Sequence, residues 1–584
     1  MIRLIKFLKP IKGSAIAAMI FVVFSQAGSL ILPLLMSMII NNGVKNGDTE
    51  YIKKIGALMM LISAIAVVIA GFNSYFSSKT SANYGKILRR EIFLKVESLS
   101  QRDIDVIGTP SLITRCTNDV RVIQDFILMS LRMIISAPVM LFGGIIMAFI
   151  MNPTLSTVIF AVVPIIAVIV FIVLKTVMPI FRRRQKLVDS INRFIREKLS
   201  GIRVIRAFNR SEFEDERFDG YNKELSSLTL KFQRLMSVLI PVCIVLIITA
   251  LDLLIVFAAK SIDKLDHITQ AAELSGSIGN LQAFVVYMIM IVFSFTMAAA
   301  MFVIVPRARI SAKRIVEVLD IEPTITDAGT TVNIDESKKG TVEFRNVTFS
   351  YESDENPILN NVSFTAERNK VTAIIGGTGS GKSTIVNLVT RFYDVNEGQV
   401  IFDGVDVKQL KQSDLHSRIG YISQKACLFS GTIRENLLYG DENASEEQLR
   451  KALEISQSAE FVDKLPDGID SFVSQSGTNL SGGQKQRLSI ARALTRQAEV
   501  YIFDDTFSAL DFKTDAALRT ALRQNMDATV IIVAQRVGTI LDADKIIVLD
   551  RGNVVGMGRH EELIESCDVY KEIYSSQITE EVQA

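Results

Sequence analysis

The stretch Gly376-Gly377-Thr378-Gly379-Ser380-Gly381-Lys382-Ser383 sets glycines ahead of a lysine and a hydroxyl. Glycines so placed let backbone N–H groups curl around an anion, and a helix starting at the end of the loop turns its positive end to the same charge. An apolar, strand-like run, Val371–Ile375, leads into the loop, and Lys382–Phe392 reads as the helix that leaves it. Lys382 would reach the outer phosphates of a nucleotide, and Ser383 would hold a magnesium ion. Gly376 through Thr384 are therefore candidate phosphate contacts. A second candidate lies further on: Val500-Tyr-Ile-Phe-Asp504 is an apolar run ending in a carboxylate, which suits a strand that presents Asp504 to a magnesium shell.

Between these two stretches runs Leu480-Ser481-Gly482-Gly483-Gln484. That run is the signature of the ATP-binding cassette (ABC) family, and the chain resembles half of an ABC transporter over nearly its whole length. The resemblance implies ATP and Mg2+ as ligands and gives further residues a role. Tyr351 matches the aromatic residue that stacks on adenine. Gln424, in Tyr421-Ile-Ser-Gln, matches the glutamine that touches magnesium and senses the γ-phosphate. Ser508-Ala-Leu-Asp511 matches the loop that crosses between paired cassettes. Ser481, Gly482, Gly483 and Gln484 would cap a helix whose N-terminus faces the γ-phosphate of ATP on the opposite cassette. One cassette therefore cannot complete a site, and since the chain has one phosphate loop and no internal duplication, a second half is expected.

Three positions depart from the family pattern. Where a glutamate usually follows the strand-ending aspartate, as the general base, the chain has Asp505; where a histidine follows the next strand, it has Gln535. Ser474-Gln475-Ser476-Gly477 replaces an acidic segment ahead of the signature. Aspartate is one methylene shorter than glutamate, and a misplacement of about an ångström can cost about a hundredfold in rate. Two changes at one catalytic centre imply a site that binds ATP and hydrolyses it slowly, while the intact signature serves the partner. This is the pattern of one subunit of heterodimeric bacterial ABC multidrug exporters, whose partner would supply the catalytic Glu and His.

The elements that must position these groups follow from pattern. Strand-like runs at Val342–Phe349, Val371–Ile375, Gln399–Phe402, Val500–Phe503, Thr529–Val533 and Lys545–Leu549 alternate with helical stretches, an α/β arrangement that carries ligands at its strand ends. This unit is expected over residues 341–584, behind a charged linker at 321–340. Residues 1–320 read as a membrane domain. A span takes about 20 mostly apolar residues, and six runs qualify: Ser14–Ile40, Ile55–Phe76, Met133–Met151, Leu155–Leu174, Leu235–Ala259 and Leu281–Val305. The fold class expected is thus a six-span, exporter-type helical domain fused to an α/β P-loop ABC nucleotide-binding domain.

The loops at 77–132 and 175–234 are long and rich in lysine and arginine, so they belong in the cytoplasm together with both termini and the ATP-binding half. The resemblance implies that their tips, near Ser111–Arg115 with Asn118 and Asp119 and at Glu197–Phe208, dock on the nucleotide-binding domains. Asp252, a carboxylate within the fifth span, is a candidate for a cavity or proton-linked role, or else a helix-end residue close to the outer headgroups. The net charge of +2 gives no footprint for nucleic acid, and Cys116, Cys243, Cys427 and Cys567 lack metal-ligand spacing.

Together these readings predict export of amphipathic drugs or lipids across a plasma membrane, with the bilayer and a second half-transporter as partners. A peptide exporter, an exporter-shaped importer and an ATP-gated channel or sensor remain alternatives.

Overall fold

The computed structural model describes residues 2–151, 153–262, 267–327, 336–351 and 356–583. It divides into two compact units: Met1–Glu97 with Gly108–Ile321, and Ser98–Ile107 with Glu322–Ala584.

The first unit is helical. Its long helices are Lys12–Met38, Thr49–Glu97, Ile135–Met151, Pro153–Ser200, Ser211–Ile262 and His267–Leu319, and each expected span lies along one of them. Among the described residues, four stretches are long and apolar enough to cross a membrane: Arg3–Val44, Thr49–Glu97, Thr109–Met151 and Ile278–Ala298. The runs Leu155–Leu174 and Leu235–Ala259 lie on Pro153–Ser200 and Ser211–Ile262, where many side chains fall outside the described residues. Helices suit such runs because a backbone in hydrocarbon must satisfy its own polar groups. Leu30, Ala148, Phe284, Tyr287 and Ile291 form a buried cluster, and the Tyr287 hydroxyl donates to the Leu30 carbonyl at 2.9 Å. Asp252 is exposed on Ser211–Ile262.

The second unit is built on two main sheets, with a separate two-stranded ribbon, Gly431–Thr432 on Phe472–Val473. One is six-stranded, in the order Asn553–Gly558, Lys545–Asp550, Val371–Gly376, Thr529–Val533, Val500–Asp504, Ile419–Ile422. Its pairings are parallel except for the outermost, Asn553–Gly558 on Lys545–Asp550. The inner strands are near-continuous apolar runs, as expected where both faces are covered: Val500–Asp504 and Thr529–Val533 are buried at every residue. The other sheet is antiparallel, with Leu359–Ala366, Val342–Phe349, Glu397–Phe402 and Val405–Asp406 in that order. All six strand-like runs read from the sequence are strands. Leu359–Ala366, Ile419–Ile422 and Asn553–Gly558 were not foreseen; Ile419–Ile422 is short, and Asn553–Gly558 carries two glycines.

The ten residues Ser98–Ile107 belong with the second unit although they come from the first basic loop. Asp103 is buried and accepts from the Thr324 backbone N–H at 3.2 Å and from Ser100 Oγ at 2.8 Å. The Tyr393 hydroxyl donates to the Asp105 carboxylate. The tip expected from the sequence, Ser111–Arg115 with Asp119, sits instead in the helical unit. There the Arg115 guanidinium donates to the Arg314 carbonyl at 3.0 Å and pairs with Glu317 at 3.3 Å, while Asp119 accepts from Ser311 Oγ at 2.7 Å. These charges are spent on a neighbouring helix of their own unit, and so the segment that joins the second unit lies a few residues earlier. The other tip, helix Ile202–Ala207, has no buried residue, and Val204 and Phe208 are 60% and 74% exposed.

Candidate nucleotide site

Four neighbouring parallel strands deliver the site from their carboxyl ends. Val371–Gly376 runs into the phosphate loop, and Thr529–Val533 beside it leads to Gln535. Val500–Asp504 carries Asp504 and then Asp505, and Ile419–Ile422 leads to Gln424. Residues far apart in sequence thus converge because sheet order, not chain order, sets their neighbours. Ligand sites at the carboxyl ends of parallel strands are the rule for open α/β sheets.

The phosphate loop keeps its shape through its glycines. Gly381 has φ +99° and forms the N-cap of helix Lys382–Val389, a left-handed conformation that side chains resist. Gly376 is needed for a different reason: a Cβ there would run into the Leu549 carbonyl of the adjacent strand and press on Ser380 Oγ. Gly376→Ala should therefore destabilise the domain by about 1–3 kcal/mol, seen as a lower midpoint in thermal unfolding of the detergent-purified protein; an unchanged midpoint would contradict the close strand approach. Gly377 and Gly379 have open space where their Cβ atoms would stand.

Lys382 Nζ donates to the carbonyls of Gly376 at 2.9 Å and Gly377 at 2.8 Å, so its ammonium lies back over the loop. Burial pulls its pKa below the ordinary lysine value, and the carboxylates of Asp505 and Asp504 oppose that shift. The Ser380 hydroxyl is buried inside the loop with no hydrogen-bond partner. A loop with an unsatisfied hydroxyl, a part-desolvated ammonium and a helix N-terminus is built to take an anion.

Ser383 Oγ donates to Asp504 Oδ1 at 3.1 Å. Burial pushes the Asp504 carboxyl above its usual pKa and Asp505 adds to the shift, while the Ser383 hydroxyl and Lys382 oppose it. An alcohol and a carboxylate side by side, both oxygen donors beside the phosphate loop, fit a hard cation such as Mg2+, which takes one or two protein oxygens and completes its shell from water and phosphate.

Asp505 is the most constrained group of the site. It is 7% exposed and adopts φ +47°, a left-handed conformation uncommon outside glycine, asparagine and aspartate. Its backbone N–H donates to the Val533 carbonyl at 2.9 Å, and Ser508 Oγ donates to its carbonyl at 2.8 Å. One oxygen of its carboxylate, Oδ2, accepts from Gln424 Nε2 at 2.9 Å and from Gln535 Nε2 at 2.7 Å. Two of the three departures, Asp505 and Gln535, therefore touch each other, and Gln424 closes on the same atom. Strain and convergence of this kind cluster at functional sites.

The remaining sequence candidates fall around this centre. The Tyr351 ring stands edge-on to Phe349 and Tyr393, with centroids 4.9 and 5.0 Å away, and its hydroxyl lies 3.5 Å from Thr384 Oγ1 at the start of helix Lys382–Val389. Ser481 and Gln484 form a reciprocal capping box at the head of helix Gly482–Thr495: Gln484 N donates to Ser481 Oγ at 3.3 Å and Ser481 N to Gln484 Oε1 at 2.9 Å. Each side chain thus accepts from the other residue's backbone N–H rather than reaching the phosphate loop of the same chain, and Ser481 and Gly482 are exposed. Asp511 caps helix Phe512–Asn525 by accepting from Thr514 N at 2.9 Å. In the segment Ser474–Gly477, Ser474 Oγ donates to Asn479 Oδ1 at 2.9 Å and Ser476 has φ +57°. Sequence reasoning missed Tyr393, which bridges Tyr351 and Asp105, because a lone tyrosine after a helix carries no motif.

Comparison with known proteins agrees with this architecture. Residues 15–297 match the ABC transporter transmembrane region and residues 359–508 match the ABC transporter family. An uncharacterised ABC transporter ATP-binding protein of Mycobacterium bovis is 38% identical over 98% of this chain and 97% of its own length. The ATP-dependent lipid A-core flippase of Haemophilus influenzae is 31% identical over 99% and 97%. Among solved structures, a bacterial Atm1-family ABC exporter with ATP bound superposes with a TM-score of 0.77, covering 97% of this chain and 98% of its own at 23% identity. With a multi-pass helical unit followed by one ATPase unit, the chain belongs to the ABC transporter family as a half-transporter that dimerises with a second half.

Proposed function

We propose that the chain is one subunit of a heterodimeric exporter of the plasma membrane, moving amphipathic lipids or drug-like molecules outward, and that its own ATP site is the slow one of the pair. The observation that carries this reading is the double engagement of Asp505 Oδ2 by Gln424 and Gln535. A general base must offer a carboxylate oxygen to the attacking water within hydrogen-bond reach. Here the carboxylate is one methylene short and one of its oxygens is held by two amides. The likeness to proteins named lipid A-core flippases supports an amphipathic cargo.

In this mechanism Gly376 to Thr384 wrap the phosphates, and Lys382 swings from the Gly376 and Gly377 carbonyls to the outer phosphate oxygens. Tyr351 supports the adenine. Ser383, Asp504 and Gln424 would hold Mg2+, which would supply positive charge to offset that of the phosphates. Ser481 to Gln484 present a helix N-terminus to the nucleotide on the partner. Asp505, paired with two amides, keeps the nucleotide clasped rather than cleaved. The exposed apolar side chains Val204 and Phe208 support docking of the second loop tip on an ATPase domain.

Steady-state ATPase of the reconstituted dimer tests the reading. Asp505→Ala should lower it only modestly, whereas removing the corresponding glutamate of the partner should cost about 10²–10⁴-fold, the usual contribution of a general base. Equal losses from the two changes would overturn the division of labour.

A further inference from the structure

The loop that carries Gln535 is braced from outside the nucleotide site. Gln577, half-buried on the C-terminal helix Asp568–Gln583, accepts from the Val537 backbone N–H at 2.7 Å through Oε1 and donates to the Gln535 carbonyl at 2.8 Å through Nε2. A carboxamide offers a donor and an acceptor side by side, and here it bonds the loop backbone on both sides of Arg536, as a neighbouring strand would. We propose that Gln577 is a positioning residue that fixes the Gln535 loop and thereby sharpens the preference of this site for ATP over ADP.

The brace is itself well seated. Tyr570 near the start of the helix is fully buried in the core beneath the main sheet, with Ile573 and Tyr574 packed against the same cluster, and its hydroxyl lies 2.8 Å from His560 Nδ1. Other contacts anchor the loop further along: Val537 is buried in the core, Arg519 donates to the carbonyls of Gly538 at 3.1 Å and Thr539 at 3.3 Å, and the Arg536 guanidinium lies over the Phe512 ring. Gln535, Arg536 and Gly538 are exposed. Upstream, the last ladder bond is Ala534 N to the Ile374 carbonyl at 3.0 Å, and downstream the turn closes through Thr539 N to the Arg536 carbonyl at 3.3 Å. Between those points the Gln577 amide satisfies the two backbone groups that set where the Gln535 side chain emerges. That side chain reaches Asp505 Oδ2 at 2.7 Å, on the end of the sheet that also carries the phosphate loop. A displacement of the loop therefore moves a group on the side of the last phosphate and leaves the adenine contacts alone.

The inference rests on the proposed placement of the Gln535 loop beside the γ-phosphate and is independent of whether the dimer is symmetric. The test uses the full dimer in lipid vesicles, with a photoreactive ATP analogue cross-linked to this chain and competed by ATP or by ADP. Gln577→Met keeps side-chain length and removes both bonds; Gln577→Asn keeps the amide but cannot span both groups. Each should lower the ATP-over-ADP preference roughly threefold to tenfold, the range expected from one or two net hydrogen bonds, with ADP competition unchanged. In a Gln535→Ala background the same changes should have no further effect, since residues acting through one another do not add. An unchanged preference in both Gln577 variants, equal weakening of ATP and ADP, or a full additional loss in the Gln535→Ala background would each overturn the proposal. If Gln535→Ala alone leaves the preference intact, the placement of the loop is wrong, which is a different failure from a silent Gln577.

Discussion

Ser481→Arg should reduce ATP turnover of the assembled dimer by about 10²–10³-fold, the loss seen when one preorganised donor to a developing anion is removed. The argument starts from the capping box: Ser481 Oγ and the Gln484 amide satisfy each other's backbone N–H groups at the head of helix Gly482–Thr495, while Ser481 and Gly482 remain exposed. An exposed, well-ordered helix N-terminus with small residues is a ready anion site, and in the proposed dimer the anion is the partner's γ-phosphate. Arginine at 481 removes the cap, worth about 0.5–2 kcal/mol, and fills the space the phosphate would enter. The local cost is too small to unfold the domain, so nucleotide binding at this chain's own phosphate loop should persist. Photolabelling of this chain with an ATP analogue, run beside the turnover assay, separates the two effects. Full turnover in the variant would contradict completion of the site across the dimer.

Parts of this architecture are legible in the amino-acid sequence, and the reason is physical. The phosphate loop is encoded by backbone permissiveness: Gly381 needs φ +99° and Gly376 needs the absence of a Cβ against Leu549, so residue identity alone carries the geometry. The inner strands are buried on both faces and read as apolar runs, and the long helices read as spans because crossing hydrocarbon takes about 20 mostly apolar residues. Asp505 and Gln535 were visible as departures from a pattern, but not as contacts. Their meeting with Gln424 depends on Thr529–Val533, Val500–Asp504 and Ile419–Ile422 lying side by side, and sheet order leaves no periodic trace in a single chain.

Side-chain bridges over long separations were the least legible. Tyr393 with Asp105, and Gln577 with the Gln535 loop, each join residues with no shared motif. The first loop shows the limit clearly. A basic, helical tip was foreseen near Ser111–Arg115, yet Arg115 turns to Glu317 and Arg314, and Ser98–Ile107 takes its place in the second unit. Both stretches are short and polar, and only the partner of each charge distinguishes them.

The other large effect expected is a gain. In a dimer whose partner has lost its catalytic glutamate and carries an intact Leu-Ser-Gly-Gly-Gln signature, residual turnover comes from this chain's own site. Asp505→Glu with Gln535→His should raise that turnover by about 100-fold, the factor associated with correcting a misplacement near one ångström. Glutamate at 505 would extend the carboxylate beyond the two amides that now hold Oδ2, and histidine at 535 would free one of those amide contacts while offering an imidazole to the γ-phosphate. The backbone at 505 already stands at φ +47°, supported by Val533 and Ser508, so the longer side chain inherits a fixed origin. Asp505→Glu alone should give part of the gain, because Gln535 would still compete for the carboxylate. If the double variant turns over no faster than its parent, the slow site owes nothing to these two residues, and the asymmetry proposed for the dimer loses its structural basis.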